Sequence, residues 1–168
     1  MFSHLLSKFP APRMADWRFT VSLAIMSECE FGQCLVACTD SMATFGAISA
    51  DNIAKKDAAL HKDWTALYVG DDMGHAPSIV RRAKSLLGRE GERTVEQVAE
   101  AVAQAYDERL QKQIERKFLK RIRYTPELFR EQANRKMTET AYNRTLEKMA
   151  NASLKCQFLV GGLKQKTR

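Results

Sequence analysis

The separation of strand-like and helix-like patterning along the chain constrains its fold more than any other sequence feature. The first half alternates apolar and small polar residues in four segments, 18–27, 34–40, 46–60 and 63–70. Gly32 lies in a turn between the first two segments, and a polar turn around 61–63 follows the third. The pattern predicts two consecutive β-hairpins, with a break in the alternation at 41–46 between them.

Helical spacing of apolar residues dominates most of the second half. The predicted helices cover about 75–87, 95–122 and 126–150. Gly88 ends the first helix, because glycine readily adopts the backbone conformation found after a helix. Thr94 and Gln97 form a capping box before the second helix. Thr125 precedes Pro126 at the start of the third, which is largely polar. A last strand is predicted over 154–162.

This order of four strands, three helices and a final strand predicts the α+β class. Strands and helices that are segregated along a chain favour helices covering one face of an antiparallel sheet over alternating βαβ units. The final strand needs a neighbouring strand. Either it inserts beside an early strand, or the chain stops before the strand that would be its natural partner.

The composition is that of a soluble globular protein, because 45% of the residues are hydrophobic and 28% are charged. No apolar run approaches the roughly 20 residues of a membrane-spanning helix, so no membrane association is expected. The net charge of +7 collects at 109–123 and in the tail 164–168. No nucleic-acid reader motif accompanies these residues, which favours a solvated helix face over a nucleic-acid-binding module.

The four cysteines indicate the compartment. They are Cys29, Cys34, Cys38 and Cys156, without a C-x-x-C pair and without a histidine near the first three. This spacing favours buried free thiols in a reducing, cytoplasmic compartment over a zinc site. Neither a metal nor a cofactor is expected. Residues 1–13 contain no acid and lack the apolar core of a secretory signal. The alternatives for this segment are a poorly ordered leader, a removable pro-segment and an upstream start before Met14, and in each case it lies outside the fold.

Four residues that can carry chemistry occur at informative intervals in the strand-rich half. Thr20 is in the first predicted strand, Asp40 ends the second, Lys56 follows sixteen residues later, and Gly70 fourteen after that. The stretches "TVSLAI", "VACTDSMAT", "SADNIAKK" and "LYVGDD" hold them in this order. This arrangement resembles the N-terminal half of proteasome-type β subunits, which are N-terminal-nucleophile hydrolases.

The resemblance implies a four-layer αββα sandwich and a threonine protease. Residues 1–19 would be a pro-segment whose removal exposes Thr20, with its hydroxyl as nucleophile and its free α-amine as base. Lys56 would favour deprotonation of the hydroxyl, Asp40 would orient Lys56, and the Gly70 N–H would bind the oxyanion. The substrate would be a peptide or unfolded protein, and the assembly a homo-oligomeric ring.

Several features leave alternatives open. Phe19 stands where the family usually has glycine, and the first turn is about four residues longer than usual. Compared with the family, the chain is expected to carry a helical insertion at about 107–151 and to have an incomplete C-terminal part, without the additional serine and aspartate of the family. A catalytically inactive structural or assembly subunit of the same fold is therefore the second hypothesis. Lys55 would replace Lys56 if the strand register were shifted.

Overall fold

The computed structural model describes residues 23–30, 34–41, 43–45, 48–50 and 55–163. The strands are β1 (Ala24–Cys29), β2 (Cys34–Thr39), β3 (Ala43–Phe45), β4 (Ile48–Ala50), β5 (Asp57–His61), β6 (Trp64–Gly70) and β7 (Cys156–Gly162). The helices are α1 (Ala76–Leu87), α2 (Val95–Ile114), α3 (Pro126–Lys136) and α4 (Glu139–Ala150). The predicted α+β class is confirmed, because the strands pair antiparallel and the helices follow as a block.

The strands form two hairpins, β1–β2 and β3–β4, and a three-stranded sheet in the order β5–β6–β7. The last strand pairs with β6 along its whole length, from Trp64 opposite Gly162 to Gly70 opposite Cys156. It therefore inserts beside an early strand, which is the first of the two predicted outcomes. Among the strands whose burial the structure describes, the central strand β6 is the most buried, because it pairs with β5 on one edge and with β7 on the other.

The main core lies between this sheet and the helices α1 and α2. Their buried residues recur at helical spacing: Ala76, Ile79, Val80, Ala83 and Leu87 in α1, and Val98, Ala101, Val102 and Ala105 in α2. They pack on Phe158 and Val160 of β7. Each large side chain that is buried in this way contributes about 1.5–3 kcal/mol to the free energy of unfolding.

The β1–β2 hairpin covers part of the opposite face of the sheet. Gly161 follows Val160 and so faces away from the helices. A Cβ at Gly161 would collide with Met26 and lie 3.3 Å from Leu35, which are residues of the hairpin. The layers are thus helices, three-stranded sheet and hairpin.

A second, smaller core joins the end of α2 to α3 and α4. Leu119, Phe129 and Ala133 are its buried members. α2 continues into a π-helical turn (Glu115–Leu119) and a 3-10 turn (Lys120–Ile122), so the predicted extent of this helix is confirmed. The prediction of a single helix over 126–150 is wrong, because α3 and α4 are separate helices. Met137 is extended, and the hydroxyl of Thr138 accepts a hydrogen bond from the Ala141 N–H to cap a new helix.

Three strand predictions need correction. The segment 46–60 is not one strand, since β4 and β5 are separate and Lys56 lies just before β5. The expected break at 41–46 contains β3. β1 continues to Cys29, beyond the predicted end at 27, and residues 18–22 lie outside the described part of the chain. Within the described ranges, no helix has both the length and the apolar character required to cross a membrane.

Candidate functional site

Lys56 and Asp40 form a close ion pair, as the family resemblance implies. The Nζ of Lys56 donates hydrogen bonds to both carboxylate oxygens of Asp40, each at 2.8 Å. The Lys56 side chain is fully buried, whereas 24% of the Asp40 side chain is exposed. Asp40 directly follows β2 and Lys56 directly precedes β5, so the pair connects the first hairpin to the central sheet.

The same carboxylate also binds the chain at the beginning of β1. The Leu23 N–H donates to Asp40 Oδ1 at 3.0 Å, and the Asp40 N–H donates to the Leu23 carbonyl at 3.2 Å. Burial opposes ionisation of Asp40, but the hydrogen bonds from Lys56 and Leu23 and the positive charge of Lys56 outweigh it. The pKa of Asp40 is consequently lowered from its ordinary value of 3.8.

Tyr68 fixes the backbone next to Lys56. Its hydroxyl donates to the Lys55 carbonyl at 2.6 Å, and its N–H donates to the Lys56 carbonyl at 2.9 Å. Burial, assisted by the negative charge of Asp57, raises the pKa of Tyr68 above 10.0. The phenol therefore remains a donor at neutral pH. The sequence pattern did not single out Tyr68. The available signal was a tyrosine in a mostly apolar strand, because a buried tyrosine hydroxyl needs a hydrogen-bond partner.

The structure distinguishes between the two adjacent lysines. The Lys55 side chain is 78% exposed, and its Nζ lies 3.8 Å from the half-exposed carboxylate of Asp57. A pair of this kind in solvent contributes little to stability. Of the two lysines, Lys56 is the one that faces Asp40, and the shifted register that would have placed Lys55 there is wrong.

Gly70 occupies the end of β6 for a steric reason. Its φ of +138° is rarely adopted by residues with a side chain, and a Cβ would collide with the Lys155 carbonyl and lie 2.8 Å from Cys156 Cα. N–H groups alternate between the two edges of a strand. Because the Tyr68 N–H points to β5, the N–H of Gly70, two residues later, is directed to the same edge of β6 as Lys56.

Thr20 lies outside the described residues, and so do Phe19 and the rest of the predicted leader. The structure thus joins Asp40 and Lys56 directly and places Gly70 on the strand next to them. An ammonium ion held in this way can stabilise negative charge on a neighbouring hydroxyl oxygen. Thr20 precedes Leu23, the backbone partner of Asp40, by three residues.

The cysteines are free, as expected, but their burial is not uniform. Cys156 is buried, and this burial together with the charge of Asp72 raises the pKa of its thiol. Cys38 is exposed and Cys29 and Cys34 are half-buried, so the expectation of four buried thiols is wrong. Among the described residues, no three histidine, cysteine, aspartate or glutamate side chains are grouped as metal ligands.

Comparisons with protein-family models, with curated proteins and with solved structures gave no match to this chain.

Proposed function

We propose that this chain is a proteasome-like threonine hydrolase subunit that cleaves peptide bonds with Thr20 as its N-terminal nucleophile. The observation that supports this function best is the buried Lys56, whose partner Asp40 also binds the backbone at Leu23. Three residues of chain span at most roughly 10 Å, so Thr20 is close enough in sequence to reach the pair.

The chemistry requires a positive charge beside a threonine hydroxyl. On removal of residues 1–19, the α-amine of Thr20 takes the proton of the hydroxyl as the oxygen attacks the substrate carbonyl. Lys56 stabilises the developing alkoxide, and Asp40 keeps Lys56 charged and oriented. The Gly70 N–H stabilises the oxyanion, a contribution of about 3–4 kcal/mol in other hydrolases. The amine product leaves with the proton, and water then hydrolyses the acyl-threonine ester.

The order of the layers supports a fold of the αββα type. Helices, sheet and hairpin would be three of the four layers, and residues 107–151 would be a helical insertion. The outer side of the hairpin carries exposed apolar residues, with Leu23, Ile25 and Val36 each about half exposed. A further layer or a neighbouring subunit of a homo-oligomeric ring would cover them. The expected substrates are peptides or unfolded proteins, and the expected location is the cytoplasm.

The first experiment measures the intact mass and the peptide hydrolysis of the purified chain. We expect a chain that begins at Thr20 and hydrolyses a fluorogenic peptide. Thr20→Ala should abolish hydrolysis, whereas Thr20→Ser should retain part of it, because serine keeps a hydroxyl beside the α-amine. Hydrolysis by an unprocessed chain, or hydrolysis unaffected by Thr20→Ala, would contradict this function.

The two neighbouring lysines provide a matched control. Lys56→Met removes the buried ammonium with little change in side-chain length, while Lys55→Met removes an exposed one at the adjacent position. We expect the first to lower kcat by at least about 100-fold, a loss of about 2.7 kcal/mol in transition-state stabilisation, and the second to change it by less than twofold. Circular dichroism of both variants verifies that they are folded.

A second candidate function is a catalytically inactive structural subunit of the same fold. Phe19 before Thr20 favours it, and a buried ion pair can hold two elements together without any catalytic role. In that case the intact mass would correspond to a chain that begins at Met1 or Met14, with oligomers in solution and no hydrolysis. A basic nucleic-acid-binding module built on 109–123 is the weaker alternative, which a steep loss of nucleic-acid binding with salt would support.

A further inference from the structure

A pocket of about 630 Å³ lies between α1 and the turn that joins β5 to β6. None of its lining residues belongs to the Lys56–Asp40 site. Four basic side chains line it, namely Lys62, Arg81, Lys84 and Arg89. Among the residues that the structure describes, no aspartate or glutamate lines this pocket.

Two elements bring these groups together. Arg81, Lys84 and Ser85 occupy positions i, i+3 and i+4 of α1, so they lie on one face of the helix. The hairpin turn adds Lys62 and the ring of His61 from the other side. The His61 Nε2 is buried and has no hydrogen-bond partner among the described residues. Folded proteins leave few buried polar atoms unsatisfied, so we expect a polar group from outside these residues at this position.

The charge of this pocket is not compensated within the described part of the chain. Arg82, the neighbour of Arg81, points elsewhere and forms an ion pair with Glu108 at 2.8 Å. None of the four pocket cations forms such a pair with a described carboxylate. The C-terminal end of the α1 dipole favours cations such as Lys84 and Arg89. It does not explain Arg81, which precedes the last turn, or Lys62 on the hairpin.

We propose that this pocket binds a small polyanion that carries several phosphate groups. Four cations around one pocket are suited to a ligand with several negative charges in a small volume, and the guanidinium groups of Arg81 and Arg89 match phosphate oxygens geometrically. The volume lies within the range of pockets for small molecules. This site is independent of the proposed hydrolase function, because it uses none of the same residues.

Inorganic tripolyphosphate is the probe, titrated by calorimetry into the full-length chain at 0.15 M salt. The test variant is Lys62→Gln/Arg81→Gln, which removes the two cations that the helix dipole does not explain. The matched control is Arg116→Gln/Lys117→Gln, which lowers the net charge equally in the basic segment 109–123. A titration with ATP shows whether the pocket tolerates a nucleoside beside the phosphates. A single-stranded oligonucleotide of about 20 nucleotides tests the nucleic-acid alternative.

We expect tripolyphosphate to bind with a Kd below 1 mM, the test variant to bind at least about tenfold more weakly, and the control to change by less than twofold. Tripolyphosphate should also raise the Tm of the wild type and the control but not of the test variant, provided that circular dichroism shows all three folded. Equal weakening in both variants would overturn the site, because the binding would then follow net charge. Binding of the oligonucleotide without binding of tripolyphosphate would overturn it as well.

Discussion

The Nζ of Lys56 lies 2.8 Å from both carboxylate oxygens of Asp40, although sixteen residues separate the two in the chain. Lys56 is fully buried, and the partly exposed Asp40 places a negative charge beside its ammonium group. The same carboxylate accepts the Leu23 N–H, and the pair therefore joins the first hairpin, the central sheet and the chain near Thr20. This arrangement is required for the proposed catalysis and also stabilises the fold.

Asp40→Asn should lower the free energy of unfolding by about 3 kcal/mol, because it removes the negative charge to which the buried Lys56 ammonium donates two hydrogen bonds. Urea denaturation at pH 7 measures the change. Asp57→Asn is the matched control, since Asp57 pairs with the exposed Lys55 and should cost less than about 1 kcal/mol. Equal effects of the two substitutions would contradict a structural role for the buried pair.

The stabilisation by Asp40 should disappear in acid. The pKa of Asp40 is lower in the folded chain than its ordinary value of 3.8. At a pH between these two pKa values, the unfolded chain therefore binds more protons than the folded chain. The contribution is fully present above the unfolded pKa and is lost as the pH falls through the folded pKa. Urea denaturation from pH 7 to about pH 2.5 should show the difference between wild type and Asp40→Asn decreasing below about pH 4. A difference that stays constant over this range would be the contrary result.

Gly70→Ala should be strongly destabilising, by about 2–4 kcal/mol. The backbone conformation at φ +138° is unfavourable for alanine, and the new Cβ would collide with the carbonyl of Lys155, the residue immediately before β7. Gly74→Ala serves as a control, because Gly74 lies in the following turn and meets only the flexible Asp72 side chain at 3.2 Å. We expect a cost below about 1 kcal/mol there. Thermal unfolding followed by circular dichroism compares the two variants.

Tyr68→Phe should lower the free energy of unfolding by about 1–2 kcal/mol while the ring keeps its contact with Phe158. The reason is the lost hydrogen bond to the Lys55 carbonyl. If the chain is a hydrolase, the same change should lower kcat through displacement of Lys56 with little change in KM. Tyr142→Phe keeps the stacking on Phe129 and should leave both quantities nearly unchanged. A Tyr68→Phe variant as stable as the wild type would show that this hydrogen bond does not hold the segment.

Much of the helical part could be predicted because its signals are local. Thr94 and Gln97 form the expected capping box, and Gly88 follows α1 as expected. The break between α3 and α4 was missed, although Thr138 is a good capping residue. Charged and polar residues continue on both sides of the break at Met137, so the spacing of apolar residues did not indicate that α3 ends there.

The sequence by itself determined the α+β class and the positions of the main helices, because capping and periodicity are written in neighbouring residues. The pairing of Asp40 with Lys56 was implied only by the family resemblance, with Lys55 as the alternative. Only the tertiary structure decided that Lys56 and not Lys55 is buried, that Tyr68 holds this segment, and that four cations surround one pocket. Those features depend on which faces of separate elements meet, and register and packing between distant residues settle that. The strand pattern predicted β7 itself, but only the tertiary structure decided its partner β6, which lies more than eighty residues earlier in the chain.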